Sequence, residues 1–492
     1  MFSSSRRATG LILVMAFALQ AALVFFVSQV LAAPAKVTIW DHFIHDKKYT
    51  TKMYKDFNKK NKDVQIEYTS QVFNVMQQVL PLAFQTGEAP DLFFGSPRPG
   101  ATLEELVEEG YVQALEDIAP SEAALRAWKA RFPASKQPFV EGLNVVKGKT
   151  YMFPRIDMNS EALRFMFINT RLFKEAGLDP TPPRTVSELR RAASAITTKG
   201  QKRYYGAIIP LQQPYGSIDV SMLWTIAVAA GHPSIYGFDY RTGRYDYTNQ
   251  GLRTAIQVWL DMKDDGSIMP GYLSMSDEEA KRYVANDKVG IIFGGWWNPS
   301  NFLAYNPKAE FDVGLGPTGD DGVRRGYITV GPAAAQQSYY ISKKAKNPAA
   351  VWNVVEFLTS KEFQEGYVRG GYGISIFPEF NKPEHFTTPG MAKIAQWGVT
   401  ATRVEPTVPK DARTARDRYA DWSPPYLQDH IVGMFLGKEQ MSTVLPAYEK
   451  RANEVLDKAI KTAQAAGLKV TRQDFVFPDW DPTKDYVPSG KK

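Results

Sequence analysis

The chain has 492 residues, no cysteine and a formal net charge of +7 at pH 7. Hydrophobic residues make up 44% and charged residues 23%, as in an average soluble globular protein, which excludes disordered, collagen-like and multi-span membrane proteins. Without cysteine there are no disulfides, thiolate zinc sites or cysteine nucleophiles. Basic residues are scattered rather than gathered in a stripe, so we expect no nucleic-acid partner.

The first 35 residues have the order of a secretory signal peptide. Arg6 and Arg7 precede an apolar run over residues 11–31, and the small residues of 32–35 follow. We expect residues 1–32 to be a signal peptide that is cleaved after Ala32 or Ala35. The alternative is an uncleaved anchor, because the run of 21 residues is long enough to span a bilayer. No cysteine follows it, so we expect a periplasmic protein that is not a lipoprotein.

The next region alternates strands and helices. The pattern predicts strands at 37–40, 64–68 and 91–94, and helices at 46–60, 73–86 and 101–109. This order favours a mainly parallel, doubly wound sheet, in which ligands bind beyond the carboxyl ends of the strands. The loops at Trp40-Asp41-His42 and Gly95-Ser96-Pro97-Arg98 are therefore candidate site loops.

A second α/β region follows. It predicts strands at 163–169, 289–293 and 311–315, and helices at 170–177, 219–230, 249–263, 349–359 and 439–466, with another helix capped by Thr185 and Glu188. We expect residues 467–492 to form a surface tail that wraps across a lobe at most. No repeat of 20–50 residues is visible.

Motifs for catalysis are weak. Residues 314–319 spell the dinucleotide fingerprint, but a proline lies inside it and no helix opens there. His42 and His45 stand beside Asp41 and Asp46, and we interpret this group as a solvated helix start rather than a metal site. We therefore expect no catalytic residue, no metal and no cofactor, although carboxylate pairs from distant strands can escape a search by spacing.

Aromatic residues are more informative, at 13% of the chain. Several stand in loops rich in glycine or proline: Trp40, Tyr215, Trp296, Trp297, Tyr372 and Trp422. The flat apolar face of a sugar ring packs on such side chains. Because two adjacent tryptophans after a strand do not easily both point into one core, we expect Trp296 and Trp297 to face a ligand.

Seven short motifs, in order, resemble those of the extracellular solute-binding proteins of family 1, the sugar-binding components of ABC importers. The matching stretches are residues 36–40, 86–93, 148–154, 163–179, 185–189, 285–291 and 347–352. There are departures, such as Val186 where relatives have tryptophan, and Asn286 and Asp287 where glycine is usual. Relatives are also shorter, and the stretches 119–147 and 467–492 are without a counterpart.

The resemblance implies an α/β protein of two lobes, each built on a mainly parallel sheet, joined by hinge crossovers and closing on a ligand between them. The expected organisation is signal peptide 1–32, first lobe 33–165, second lobe 166–315, return to the first lobe 316–380, second-lobe helices 381–466 and tail 467–492.

The resemblance also implies the site and the partners. Tyr215, Trp296 or Trp297, and Trp422 correspond to stacking aromatics; Trp40, Asp41 and Arg98 face the cleft from the first lobe; Arg155 and Asp157 lie near the hinge; Tyr372 completes the set. We expect a monomer that binds a carbohydrate or polyol and delivers it to ABC transporter membrane subunits.

Three other functions stay open at this point. Aspartate and arginine at a cleft also suit a charged solute, such as a sugar acid or glycerol phosphate. A secreted enzyme acting on polysaccharide would use distant carboxylates that spacing cannot reveal. A membrane-anchored sensor would keep its N-terminal segment.

Overall fold

The computed structural model describes residues 33–44, 46–157, 164–212, 222–330 and 338–486. Within these ranges, none of the helices has both the length and the apolarity needed to cross a bilayer.

Two sheets form the centres of two lobes. The first sheet has the order β2 (Val64–Ser70), β1 (Ala35–Asp41), β3 (Leu92–Phe93), β14 (Ser338–Ile341) and β6 (Met152–Pro154). The second has the order β12 (Phe311–Leu315), β7 (Phe165–Asn169), β11 (Val289–Gly294) and β8 (Tyr205–Ala207). Three small pairs complete the strands: β4 (Val145–Val146) with β5 (Lys149–Thr150), β9 (Phe238–Asp239) with β10 (Arg244–Tyr245), and β13 (Ile328–Val330) with β15 (Thr402–Val404).

Helices cover both sheets. They are α1 (Lys47–Lys60), α2 (Phe73–Thr86), α3 (Leu103–Glu108), α4 (Glu122–Lys129), α5 (Thr170–Glu175), α6 (Val186–Gly200), α7 (Thr225–Ala229), α8 (Gln250–Asp264), α9 (Asp277–Ala285), α10 (Asn298–Tyr305), α11 (Pro348–Leu358), α12 (Lys361–Arg369), α13 (Met391–Thr400), α14 (Lys410–Thr414), α15 (Leu427–Phe435) and α16 (Met441–Ala465).

Local signals place these elements. Tyr49, Met53 and Phe57 recur every four residues, so they share the face of α1 that is buried against the first sheet. The Thr185 side chain accepts a hydrogen bond from the Glu188 backbone N–H (3.2 Å) and thereby caps α6. The predicted elements in the described ranges are confirmed to within a few residues at each end.

Each sheet has one reversed strand. In the first, β1 is parallel to β2 and β3, whereas β14 is antiparallel to β3 and β6. In the second, β11 is parallel to β8, whereas β7 is antiparallel to β11 and β12. β7 and β14 therefore start at the edge where the other strands of their sheets end. Both sheets are mainly parallel, as expected.

The segment before β14 belongs with the second lobe. The Arg325 backbone N–H donates to the Ala229 carbonyl (3.1 Å), and Thr318 N–H donates to the Arg184 carbonyl (2.9 Å). Residues 318–325 therefore lie with the second lobe, and β14 is the next described strand that belongs to the first. Conversely, the stretch 119–147 packs on the first lobe, where buried Trp128 donates from Nε1 to Thr359 Oγ1 (3.0 Å).

Residues 467–486 lie across the second lobe and insert side chains into it, which is more than a loose surface tail would do. Phe475 is 0% exposed and its ring meets that of Phe238, while the buried Trp480 packs edge-on against Tyr240 at 5.3 Å. The Tyr486 N–H donates to the Val404 carbonyl (2.9 Å). The segment wraps the second lobe and completes its core.

Removing the buried ring of Phe475 is expected to destabilise the protein. Phe475→Ala removes a fully buried ring and should lower the free energy of unfolding by about 3–5 kcal/mol. Gln473→Ala, an exposed change two residues away, should stay within about 0.5 kcal/mol. Urea unfolding followed by tryptophan fluorescence measures both. If the Phe475→Ala protein loses no more unfolding free energy than the Gln473→Ala protein, the buried ring does not stabilise the fold.

Candidate functional site

A cavity of about 190 Å³ lies at the carboxyl ends of β1 and β3. Its walls come from the loops that follow these strands and from α2, and comprise His42, Met76, Gln77, Leu80, Phe94, Gly95, Ser96, Pro99 and Gly100. The sequence predicted both loops from their position after parallel strands. The cavity is somewhat larger than the roughly 150 Å³ that is known to hold one benzene ring in an engineered apolar site, so one six-membered ring fits.

Three rings meet beside the cavity. The His42 ring lies 4.9 Å from Phe43 and 4.8 Å from Phe94, and the two phenylalanine rings are 5.0 Å apart. The sequence predicted the loop of His42 as a site loop, but not that these three side chains form an aromatic wall. The only available signal was their place immediately after strand ends.

Asp41 is buried beneath this wall. Its Oδ1 accepts hydrogen bonds from the Tyr68 hydroxyl (2.9 Å) and the Phe43 N–H (3.1 Å), and its Oδ2 accepts one from the Tyr339 hydroxyl (2.6 Å). Burial raises the pKa of Asp41 to about 6, and the nearby carboxylate of Asp46 adds to the shift. Its three hydrogen bonds orient the start of the cavity loop.

The predicted site residue Arg155 is 1% exposed and forms an ion pair with Asp46 (2.8 Å). Its guanidinium lies 4.4 Å from the centre of the Phe43 ring and 5.3 Å from that of Tyr367, within the range of cation–π attraction. Asp46 is also fully buried, so the expected solvated helix start is wrong. The pair ties the cavity loop to the segment that leaves β6 for the hinge.

The other two charged residues of the predicted site are paired as well. Arg98 Nε lies 3.0 Å from Glu109 and its Nη2 lies 3.4 Å from Glu105. The buried Asp157 pairs with Lys136 at 3.0 Å. Arg98 and Asp157 therefore each have a partner of opposite charge, the first at a partly exposed position and the second in a buried one.

The two adjacent tryptophans have different environments. Trp296 is 1% exposed. A Cβ added to Gly373, whose φ is +159°, would lie 2.8 Å from the Trp296 ring and 2.6 Å from Tyr367, so only glycine permits this interlobe packing. Trp297 remains partly exposed, and its ring carries the Arg164 guanidinium at 4.9 Å.

The remaining aromatics are dispersed. Trp40 packs on the apolar cluster beside α2, Tyr372 stacks on Tyr49 at 5.1 Å, and Trp422 meets Tyr245 edge-on at 5.4 Å in the second lobe. Tyr215 lies outside the described residues. The structure thus links Asp41, Arg155 and Tyr372 through the rings of Tyr339 and Tyr367. Trp296 and Trp297 contact each other edge-on, and Trp40, Arg98 and Trp422 lie at the periphery. In the described ranges, no three His, Asp or Glu side chains come together as a metal site.

The sequence profile of one family, described as bacterial extracellular solute-binding protein, matches residues 44–365. The chain belongs to this family. It is thus a solute-binding protein of an exported class, as its motifs predicted. No curated protein matches the sequence.

Solved structures share the two-lobed fold of this solute-binding protein at low identity. The GacH receptor of Streptomyces glaucescens, determined unliganded and with acarbose, is 16% identical, with a TM-score of 0.60 over 86% of this chain and 99% of that one. The MalE domain from Bdellovibrio bacteriovorus, bound to maltotriose, is 15% identical, with a TM-score of 0.59 over 88% and 99%. A protein from Thermotoga lettingae, bound with α-D-tagatose, is 18% identical, with a TM-score of 0.56 over 86% and 100%.

We expect the removal of one charge of the Asp46–Arg155 pair to destabilise the protein much more than the removal of both. Arg155→Met leaves a buried carboxylate unpaired and should cost about 3–5 kcal/mol of folding free energy. The double change Asp46→Asn with Arg155→Met removes both charges, keeps an acceptor for the Thr50 hydroxyl, and should recover most of that loss. Thermal and urea unfolding measure the cycle. If the double variant is no more stable than Arg155→Met, the pairing does not carry the effect.

Asp41 should make stability depend on pH. Its pKa is raised in the folded state, so between about pH 4 and 6 the folded protein holds a proton that the unfolded chain has released. Stability should therefore fall as pH rises through this window. In Asp41→Asn this component should vanish. The measurement is the difference between wild-type and variant unfolding free energies at pH 4, 5, 6 and 7; a difference that is constant with pH contradicts the assignment.

Proposed function

We propose that this protein is the periplasmic solute-binding component of an ABC importer, and that it captures a neutral carbohydrate or polyol in the interlobe cleft and delivers it to the membrane subunits. The observation that carries this proposal is the combination of a ring-walled cavity with charged side chains that are already paired. The sugar complexes of the structural neighbours support the same ligand class.

Neutrality follows from the electrostatics of the site. An anionic solute would need a cation that is available to it, but the buried Arg155 is already held by Asp46. Arg98, which is partly exposed, contacts two glutamates. Separating a buried pair leaves an uncompensated charge and costs several kcal/mol. A neutral polyhydroxy ligand makes no such demand, because its hydroxyls bind to groups that stay paired.

Aromatic groups supply the contact area. The partly exposed Trp297 in the second lobe and the His42–Phe94 wall in the first present rigid ring faces, which bury the apolar faces of a sugar at small entropic cost. We assign Trp297, rather than the buried Trp296, as the second-lobe stacking residue.

An enzymatic role is disfavoured by the surroundings of Asp41. Its raised pKa is the property of a general acid. The carboxyl group is, however, fully buried and engaged by Tyr68, Tyr339 and the Phe43 N–H. It therefore has no exposed oxygen with which to reach a glycosidic bond.

A ligand screen by thermal shift tests the proposal. The panel contains monosaccharides, oligosaccharides, polyols, sugar acids and glycerol phosphate, each also assayed for turnover by chromatography. A stabilising neutral sugar or polyol that is recovered unchanged is the expected result. Stabilisation by the acids alone favours the charged-solute receptor, turnover favours an enzyme, and no shift from any compound contradicts the proposal.

The stacking assignment is tested with the ligand found in the screen. Trp297→Ala should weaken binding about tenfold or more with little change in melting temperature, because it removes an aromatic contact worth more than 1 kcal/mol. Trp297→Phe should keep most of the affinity. Trp296→Ala should instead lower the melting temperature, because it opens a cavity in the core. Wild-type affinity in Trp297→Ala, measured by calorimetry, would overturn the assignment.

A further inference from the structure

Opposite charges face each other where helix α3 of the first lobe meets residues 410–418. Lys410 Nζ lies 3.4 Å from Glu104 Oε1, and Arg418 Nη2 lies 3.1 Å from Glu105 Oε1. The two glutamates lie far from the two basic residues in the sequence, and the pairs join the first lobe to the second.

The basic partners are fixed to the second lobe. Ala412 and Ala415, between Lys410 and Arg418, are fully buried in the second-lobe core. The Lys469 N–H of the C-terminal segment donates to Asp411 Oδ2 (2.8 Å). The basic side chains therefore move with that lobe.

The acidic partner Glu105 is fixed to the first lobe. Its Oε2 accepts a hydrogen bond from the Thr102 N–H (2.8 Å), and the Thr102 side chain in turn accepts from the Glu105 N–H, which forms a capping box. Hydrogen bonds from Thr102 lower the pKa of Glu105 and keep it charged. Oε2 of Glu105 thus caps the start of α3, while Oε1 contacts Arg418.

Glu105 also contacts the cavity loop. Arg98 Nη2 lies 3.4 Å from Glu105 Oε2. Arg98 belongs to the loop whose residues Gly95, Ser96, Pro99 and Gly100 line the cavity, and the Ser96 hydroxyl donates to the Arg98 carbonyl (2.6 Å). The loop that lines the cavity therefore shares an acidic residue with the second lobe.

A third contact lies beside these pairs. The Arg413 guanidinium is so close to Gly142 that a Cβ built there would lie 3.0 Å from Nη2. Gly142 also has a φ of +78°, which favours glycine. The first lobe thus approaches the basic segment without a side chain in between.

We propose that Glu104, Glu105, Lys410 and Arg418 form an electrostatic latch that holds the two lobes together, with Arg98 linking it to the cavity loop. The latch concerns the lobes themselves and does not depend on the identity of the ligand.

The chemistry of the latch suits repeated opening. The side chains of Lys410 and Arg418 are 57% and 47% exposed, so each pair is weak and is screened by salt. Unlike an apolar interface, such pairs separate without exposing hydrophobic surface to water. Arg98, predicted as a ligand contact, is in this view a positioning residue.

Interlobe distances measured by double electron–electron resonance test the latch without any ligand. Because the chain has no native cysteine, spin labels can be placed on Gln85→Cys in α2 and Gln257→Cys in α8, both exposed. We expect a short-distance population at 20 mM NaCl that declines at 500 mM. Lys410→Glu and Glu104→Lys should each reduce the ratio of short to long distances roughly two- to fivefold, and the double swap should restore it.

Two matched variants separate the latch from general effects. Glu105→Gln keeps the capping box, since glutamine serves at that position, but loses the charge, so it should favour the long distance at unchanged melting temperature. Lys461→Glu, the same charge change on an exposed position of α16, should leave the distances as in wild type. The latch is refuted if salt and the latch variants leave the distances unchanged, if Lys461→Glu shifts them equally, or if the double swap fails to restore them. Failure of the sugar screen would leave these results unaffected.

Discussion

The buried ion pair between Asp46 and Arg155 is the contact on which the site depends. It joins the loop that follows β1 to the segment that leaves β6 for the hinge, two parts of the chain separated by 109 residues. Because both charges are withdrawn from water, neither can be released without a large cost. The cavity loop is thereby held at one position relative to the crossover to the second lobe. The ring wall of His42, Phe43 and Phe94 rests on this pair, since Phe43 covers the Arg155 guanidinium.

The same constraint underlies the neutral ligand that we propose. The buried Arg155 is already paired with Asp46, and the rings of His42 and Phe94 line the cavity. Solute-binding proteins must release what they bind, and contacts made by ring faces and hydroxyls are individually modest. The paired charges therefore act through the positions they impose rather than by direct attraction to a solute.

The two lobes are joined by two different kinds of contact. In the first, the rings of Trp296 and Tyr367 both approach Gly373 so closely that a Cβ there would meet them, an apolar contact that is costly to open. In the second, the latch consists of solvated ion pairs that open at little cost. Rotation about the hinge thus keeps the apolar contact and breaks the polar one. A receptor that opens and closes needs one interlobe contact that persists and another that breaks easily.

Much of the fold was predictable because its signals are local. The apolar periodicity of α1, the alternation in β2 and the cap of α6 each depend on residues within a few positions of one another. The loops at the cavity were also predictable, since the carboxyl ends of parallel strands meet at one edge. The side-chain roles were not. Trp296 and Trp297 are neighbours in the sequence, yet only the approach of Gly373 decides which of them is buried.

The sequence by itself determined the order of the elements, the family and the loops that border the cleft, because periodicity, caps and motifs are properties of neighbouring residues. Only the tertiary structure decided that Asp46 is buried with Arg155, that Arg98 contacts glutamates, and that residues 467–486 complete the second-lobe core. The physical reason is that the partner of a charge or a ring depends on which distant segments of the chain come into contact. The burial of that contact then sets how much it contributes to stability.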